Sequence, residues 1–284
     1  MKVGITGGNG FIGKKIILEL LEKHMHIISM QRSSQNIDGV EIRNFDLSNI
    51  SDKTKEIFSD IDVVIHTAAL VHNRSANRKS HQKINFDATI KLVEICKSVG
   101  VQYFIFLSTV GVYGVSSSVE KISLKNKVNP ISEYAKSKLD VENILLSNNS
   151  PMQVSILRLP LVYGDVAKGN FRLLEKIADT PIPLPFLNIK NKRSMVSVEN
   201  VAKIIGVMVR NKNKYLGLHL LAEKKSFSTE EIIKTIKINK ERRLLLFPVP
   251  TLVMKFIMNM LGQKKLYQQL FEDLEFKSSI DLPN

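Results

Sequence analysis

The chain has 284 residues, 44% of them hydrophobic, enough to bury a substantial core as one large domain or as a domain with an added lobe. Lys and Arg outnumber Asp and Glu by 41 to 27, a net charge of +14, yet the lysines are scattered and no basic block alternates with stacking aromatics, which argues against nucleic acid. One cysteine rules out an internal disulfide, no run is long and apolar enough to cross a bilayer, and residues 1–20 lack a secretory pattern; a cytoplasmic protein without stable membrane insertion is expected.

In chain order, Lys2 to Thr6 reads as a buried strand, and Phe11 to Lys23 carries Ile12, Ile16, Ile17, Leu20 and Leu21 on one helical face. Gly7, Gly10 and Gly13 lie on the turn between them. Without side chains they let the backbone turn sharply and approach a diphosphate, whose charge rests on the helix N-terminus. A dinucleotide site is expected there.

Further strand-like runs follow at 26–30, 40–45, 62–67, 102–108, 153–159 and 215–221, with helical patterns at 84–98, 132–147 and 198–210. This alternation predicts an α/β fold with a parallel sheet covered on both faces. Cys96 falls in a helical pattern with Leu92, Val93 and Ile95 and reads as a buried structural thiol. Beyond residue 158 the texture changes: Pro160, Pro181, Pro183 and Pro185 punctuate the chain, and Ser228-Thr229-Glu230-Glu231 reads as a capping box. These later segments are expected to form a smaller lobe closing over the carboxyl ends of the strands. Val249 to Leu261 is the most apolar stretch; a helix packed in that lobe is expected, with peripheral membrane attachment as the alternative.

The chemistry starts with Tyr134 and Lys138. Four residues apart on a helix, phenol and ammonium share a face. A free phenol titrates near ~10, and a neighbouring ammonium favours the phenolate, which makes the pair a usable acid/base at neutral pH.

These features together resemble the extended short-chain dehydrogenase/reductase family, and within it the nucleotide-sugar epimerases, dehydratases and reductases. The resemblance runs over nearly the whole chain: the glycine loop, Asp46-Leu47, His66-Thr67-Ala68-Ala69, Asn85, Leu107-Ser108-Thr109 followed by Val112-Tyr113-Gly114, the Tyr134/Lys138 pair, and Leu157 to Gly164. It implies a Rossmann-type doubly wound parallel sheet with a smaller C-terminal substrate-binding lobe. The dinucleotide-binding domain would span 1–157 with 196–221 returning to it, and the lobe 158–195 and 222–284. Relatives often dimerise through the helices flanking the site, so the resemblance leaves a homodimer open while the sequence itself does not fix the oligomeric state. The chain also ends at Asn284, sooner than such enzymes usually do, which suggests a missing terminal segment.

Carried over by resemblance, Thr109, with Ser108 as its neighbour, is the catalytic hydroxyl that bonds the reacting sugar oxygen, and Tyr134 exchanges its proton. Lys138 holds the nicotinamide ribose and tunes Tyr134. Gly7, Gly10, Phe11, Ile12 and Gly13 contact the pyrophosphate, Asp46 and Leu47 flank the adenine, and Ala68 lines the path to the nicotinamide. For a UDP-sugar substrate, Lys168 and Asn170 lie in one holding segment and Arg193 in another; a guanidinium there can clamp a diphosphate through parallel hydrogen bonds. Asn170 could instead cap a helix, and Arg193 could face solvent.

NAD-using members usually end the second strand with an acid that binds the ribose hydroxyls. Here Gln31 takes that place, and Arg32 with Ser33 could receive a 2′-phosphate, so NADP(H) is expected, with NAD(H) as the alternative. Val110 and Gly111 after Thr109 replace the acidic pair of dehydratases, and Cys96 lies far from where a 3,5-epimerising reductase keeps its Cys. No spaced His/Cys set suggests a metal. The main expectation is therefore NADPH-dependent reduction of a UDP-4-keto-6-deoxy-HexNAc for surface polysaccharide. The alternative is an NAD-dependent UDP-hexose or UDP-HexNAc 4-epimerase. A non-catalytic nucleotide-binding regulator is the remaining class, disfavoured because Tyr134 and Lys138 are both present.

Overall fold

The computed structural model describes residues 1–33, 36–70, 78–147, 150–164, 174, 177–239 and 245–282. Seven strands among them form one sheet in the order β10-β6-β5-β4-β1-β2-β3, with every adjacent pair parallel. They are β1 (Lys2–Thr6), β2 (His26–Gln31), β3 (Val40–Asn44), β4 (Val63–His66), β5 (Tyr103–Thr109), β6 (Gln153–Leu159) and β10 (Gly217–Leu220). The order reverses between β1 and β4, which opens a crevice at the carboxyl ends of the strands.

Strand alternation divides the core into two layers. On β5, Tyr103, Ile105 and Leu107 face a cluster with Ile16, Ile17 and Leu20 of α1 (Phe11–Leu21) and Val201, Ile205 and Met208 of α6 (Val198–Arg210). Phe104 and Phe106 face the other, with Leu92 and Cys96 of α4 (Ala88–Ser98) and Val141 and Leu145 of α5 (Glu133–Leu146). Both phenylalanines are fully buried, worth about 1.5–3 kcal/mol each. Cys96 is equally buried, and burial raises its thiol pKa, as expected of a structural cysteine.

The short helix α2 (Thr54–Phe58) precedes β4, and α3 (Arg78–His81) runs into α4 through a π-helical stretch, Gln82–Asp87. The helix predicted to begin at 84 therefore starts earlier and contains an irregularity that apolar periodicity does not reveal. Outside the main sheet, β7 (Leu161–Tyr163) pairs with β9 (Met195–Ser197), and β8 (Leu184–Leu187) with β11 (Leu246–Pro248). With them stand α7 (Thr229–Asn239), α8 (Thr251–Met260) and α9 (Lys264–Phe271), around a cluster that includes Phe186, Ile189, Ile233, Tyr267 and Phe271.

The capping box opens α7 as predicted. Glu231 N–H donates to Ser228 Oγ at 3.1 Å, and Ser228 N–H donates back to the Glu231 carboxylate at 2.8 Å. Within the segment from 249 to 261, Thr251–Met260 is helical and packs on the lobe through Met254 and Met258, while Leu252, Phe256 and Met260 are 79%, 65% and 74% exposed.

Candidate active site

The glycine turn is held by its own backbone. Gly7 adopts φ +71, a left-handed conformation that favours glycine. Its N–H donates to Met30 O at 3.0 Å, and Gly10 N–H donates to Gly7 O at 2.8 Å. A Cβ at Gly13 would collide with Gly7 O, so α1 can start directly against the turn. A Cβ at Gly7 would come within 3.0 Å of the Ala68 backbone after β4. The bare backbone thus forms a cradle at a helix N-terminus, and its geometry fits a diphosphate.

This cradle opens on a cavity of about 1460 Å³. Gly7, Gly10, Phe11, Ile12, Gly13, Gln31, Arg32, Asp46, Leu47 and Ala68, all predicted for the cofactor, line it, and so do Thr109, Tyr134 and Arg193. Lys138 and Ser108 do not, and Lys168 and Asn170 lie outside the described residues. Gln31 turns inward, accepting from Ser29 Oγ at 3.1 Å and donating to Ser33 O at 3.0 Å. Arg32 is exposed at the rim. The Ser48 amide and hydroxyl both donate to Asp46, and with the nearby Arg32 charge they hold its carboxyl below the usual range.

Thr109 ends β5 and caps the turn that follows, its Oγ accepting from Gly111 N–H at 3.0 Å. That bond directs the hydroxyl's own hydrogen elsewhere. Tyr134 lies in the first turn of α5, which Ser132 caps by accepting from Ala135 N–H at 3.2 Å. One turn on, Lys138 is buried; its Nζ donates to Leu107 O at 2.9 Å and stands 5.9 Å from the Tyr134 ring centroid.

In the chain by itself burial outweighs the lowering of the Tyr134 phenol that a neighbouring ammonium would give. Desolvation pushes the phenol up to about 12, and it pushes Lys138 down to about 7 against the opposing attraction of Glu142. Deeper still, His66 is held by Thr6 Oγ at 2.8 Å and Thr89 Oγ at 3.2 Å. Burial, and then the Lys138 charge, push its pKa to about 3, so it stays neutral.

Ser108 is a correction. Successive β5 side chains point to opposite faces, and of Ser108 and Thr109 only Thr109 lines the cavity. Ser108 Oγ instead donates to buried Glu142. The Glu142 carboxylate pairs with Arg158, Nη2 to Oε2 at 2.6 Å, and Arg158 Nη1 donates to Tyr113 Oη at 3.0 Å. Ser108, Glu142 and Arg158 therefore tie β5, α5 and β6 together, and Tyr113 adds the turn that follows β5.

Residue patterns alone assign no role to His81, which lines the cavity with its ring 6.3 Å from that of Tyr134, edge to face. Asn85 Nδ2 donates to His81 Nδ1 at 3.1 Å and to Leu70 O at 3.0 Å, while its Oδ1 accepts from Leu70 N–H at 2.7 Å. The four-residue spacing of His81 and Asn85 was the available signal.

Arg193 is not a solvent-facing loop residue. Its backbone exchanges two hydrogen bonds with Phe227, and its Nη1 donates to the carbonyls of Ser116, Gln268 and Glu272 at 3.1, 3.3 and 3.2 Å. Burial lowers its pKa to about 10, leaving a fixed cation in the cavity wall. Among the described residues, no group of three His, Cys, Asp or Glu could hold a metal ion.

Comparison with known proteins agrees with this arrangement. Residues 3–217 match the NAD dependent epimerase/dehydratase family. The UDP-glucose 4-epimerase of Vibrio cholerae is 27% identical over 281 residues, covering 95% of this chain and 85% of that protein. A putative UDP-glucose 4-epimerase of Methanocaldococcus jannaschii is 29% identical over 249 residues, covering 82% and 80%. Among solved structures, UDP-glucuronic acid 4-epimerase from Bacillus cereus in complex with NAD superposes with a TM-score of 0.73 at 22% identity, over 88% of this chain and 86% of that one. UDP-glucose 4-epimerase with UDP-glucose from Thermotoga maritima gives 0.71 at 19% identity, over 98% and 90%. With its glycine cradle, parallel sheet and match over residues 3–217, the chain belongs to the NAD dependent epimerase/dehydratase family of extended short-chain dehydrogenases/reductases.

Proposed function

We propose that this protein is a UDP-sugar 4-epimerase that uses NAD and acts on a UDP-hexose or UDP-HexNAc. The observation that carries the reading is that Thr109 and Tyr134 line one cavity with the glycine cradle and Arg193. The match to the Vibrio cholerae epimerase along 95% of the chain supports it over the reductase expected from the sequence. We assign residues 1–157 and 196–221 to cofactor binding, and 158–195 and 222–284 to the sugar nucleotide.

In this reading Gly7, Gly10, Phe11, Ile12 and Gly13 hold the cofactor diphosphate, with Asp46, Leu47 and Ala68 along its length. The bound nicotinamide supplies reversible hydride acceptance at sugar carbon 4. Tyr134 takes the proton from the 4-hydroxyl and returns it after the sugar has turned over. Thr109 donates its hydroxyl hydrogen to the same oxygen and fixes its position. Lys138 is the chain's own cation beside the phenol; in its ammonium form it offsets part of the cost of the phenolate. Arg193, in the cavity wall, grips the UDP diphosphate.

A C4 reductase using NADPH would employ the same residues, and Gln31 with exposed Arg32 is the observation that favours it. Incubation with UDP-glucose and UDP-GlcNAc, beside a UDP-4-keto-6-deoxy-HexNAc with NADPH, separates the two. Epimers formed without net cofactor consumption support the proposal. Stoichiometric loss of NADPH without epimers rejects it.

A further inference from the structure

The outer side of α8 is apolar and uncovered. Leu252, Val253, Phe256, Ile257 and Met260 are 79%, 47%, 65%, 44% and 74% exposed, and Leu261 directly after the helix is 66% exposed. At about 100° per residue these positions fill one half of the helix circumference. Met254 and Met258 on the adjoining side seat the helix on the lobe, while Thr251, Lys255 and Asn259 occupy the rest. Exposed Phe247 on β11 adds to the large apolar residues of this segment. Soluble chains rarely leave so many large apolar side chains uncovered in one place.

The charge of the segment identifies its partner. Residues 245–271, which include α8 and α9, carry Lys255, Lys264 and Lys265 and no Asp or Glu, in a chain of net charge +14. A second copy docked through the same face would bring two such basic sets together, and an uncharged protein groove would leave them unmatched. An apolar half-cylinder on a helix whose one charged side chain is Lys255, followed directly by Lys264 and Lys265, fits a helix lying in the interface of an anionic bilayer. No helix among the described residues is long and apolar enough to cross a membrane.

We propose that α8 docks in the plane of an anionic phospholipid surface. Leu252, Phe256 and Met260 enter the acyl boundary, and Lys255 and Lys264 meet headgroup phosphates. Because α9 follows at once and lines the cavity with Lys265 and Gln269, docking brings the site to the membrane surface.

The test is flotation of the full chain with vesicles of phosphatidylcholine alone and of phosphatidylcholine mixed with phosphatidylglycerol. Binding to the mixed vesicles should exceed binding to neutral ones by roughly tenfold and weaken in high salt. Leu252→Glu with Phe256→Glu should abolish flotation while leaving UDP-sugar turnover in free solution unchanged. Failure to float with either vesicle, or equal flotation of wild type and double variant, overturns the proposal. Self-association that the double variant abolishes, without vesicle binding, assigns the face to a second copy and overturns it as well.

Discussion

Lys138 stands one helical turn from Tyr134, yet its Nζ is bonded to the Leu107 carbonyl at 2.9 Å and lies 5.9 Å from the tyrosine ring centroid. The ammonium is thus anchored to the end of β5, while Tyr134 lines the cavity that Lys138 does not reach.

Tyr134→Phe keeps the ring and its edge contact with His81 but removes the proton carrier. Turnover should fall by about 10²–10⁴-fold, the range of general acid/base catalysis, with an unchanged unfolding curve. Turnover within a few-fold of wild type would reject Tyr134 as the acid/base.

Burial of Lys138 makes stability depend on pH. Its folded pKa of about 7 lies below the ordinary 10.5, so between these values the unfolded chain binds the proton and the folded chain does not. The cost of burying the ammonium is fully present below about pH 7 and is relieved as pH rises through the window. Tyr134 acts in the opposite direction, its raised value losing stability only above the ordinary phenol value of 10. Urea unfolding of wild type and Lys138→Met, compared from pH 7 up to that limit, should show wild type gaining relative to the variant. A constant difference contradicts the assigned burial.

Arg158→Met leaves Glu142, which has no exposed surface, without its cation. Such a break costs about 3–5 kcal/mol, whereas removing both charges is often neutral. Denaturation should show a large loss for Arg158→Met and partial recovery on adding Glu142→Met. Additive losses would contradict the pairing.

Arg193→Lys keeps a cation but loses the two-pronged donor. Charged hydrogen bonds are worth about 1.5–3 kcal/mol, so KM for the UDP-sugar should rise roughly ten- to hundredfold with little change in kcat. An unchanged KM would remove Arg193 from substrate binding.

Much of this architecture is legible in the sequence because its signals are local. The glycine turn, the period-two strands and the Ser228/Glu231 capping box each specify a conformation within a few residues. Strand alternation alone also separates Thr109 from Ser108. What escapes is set by distant packing. Glu142 and Arg158 meet across two elements, and the π-helical stretch that carries Asn85 leaves no mark in the apolar period. The Tyr134 and Lys138 pKa values follow burial, which spacing does not encode. The apolar run at α8 is visible as composition, but nothing local tells which side of it the lobe will cover.

The decisive experiment is product analysis after incubating the purified protein with NAD and UDP-glucose or UDP-GlcNAc. The C4 epimer should accumulate to equilibrium with no net reduction of NAD. Absence of either epimer, together with stoichiometric NADPH oxidation by a UDP-4-keto-6-deoxy-HexNAc, would contradict the assignment and make the protein a reductase.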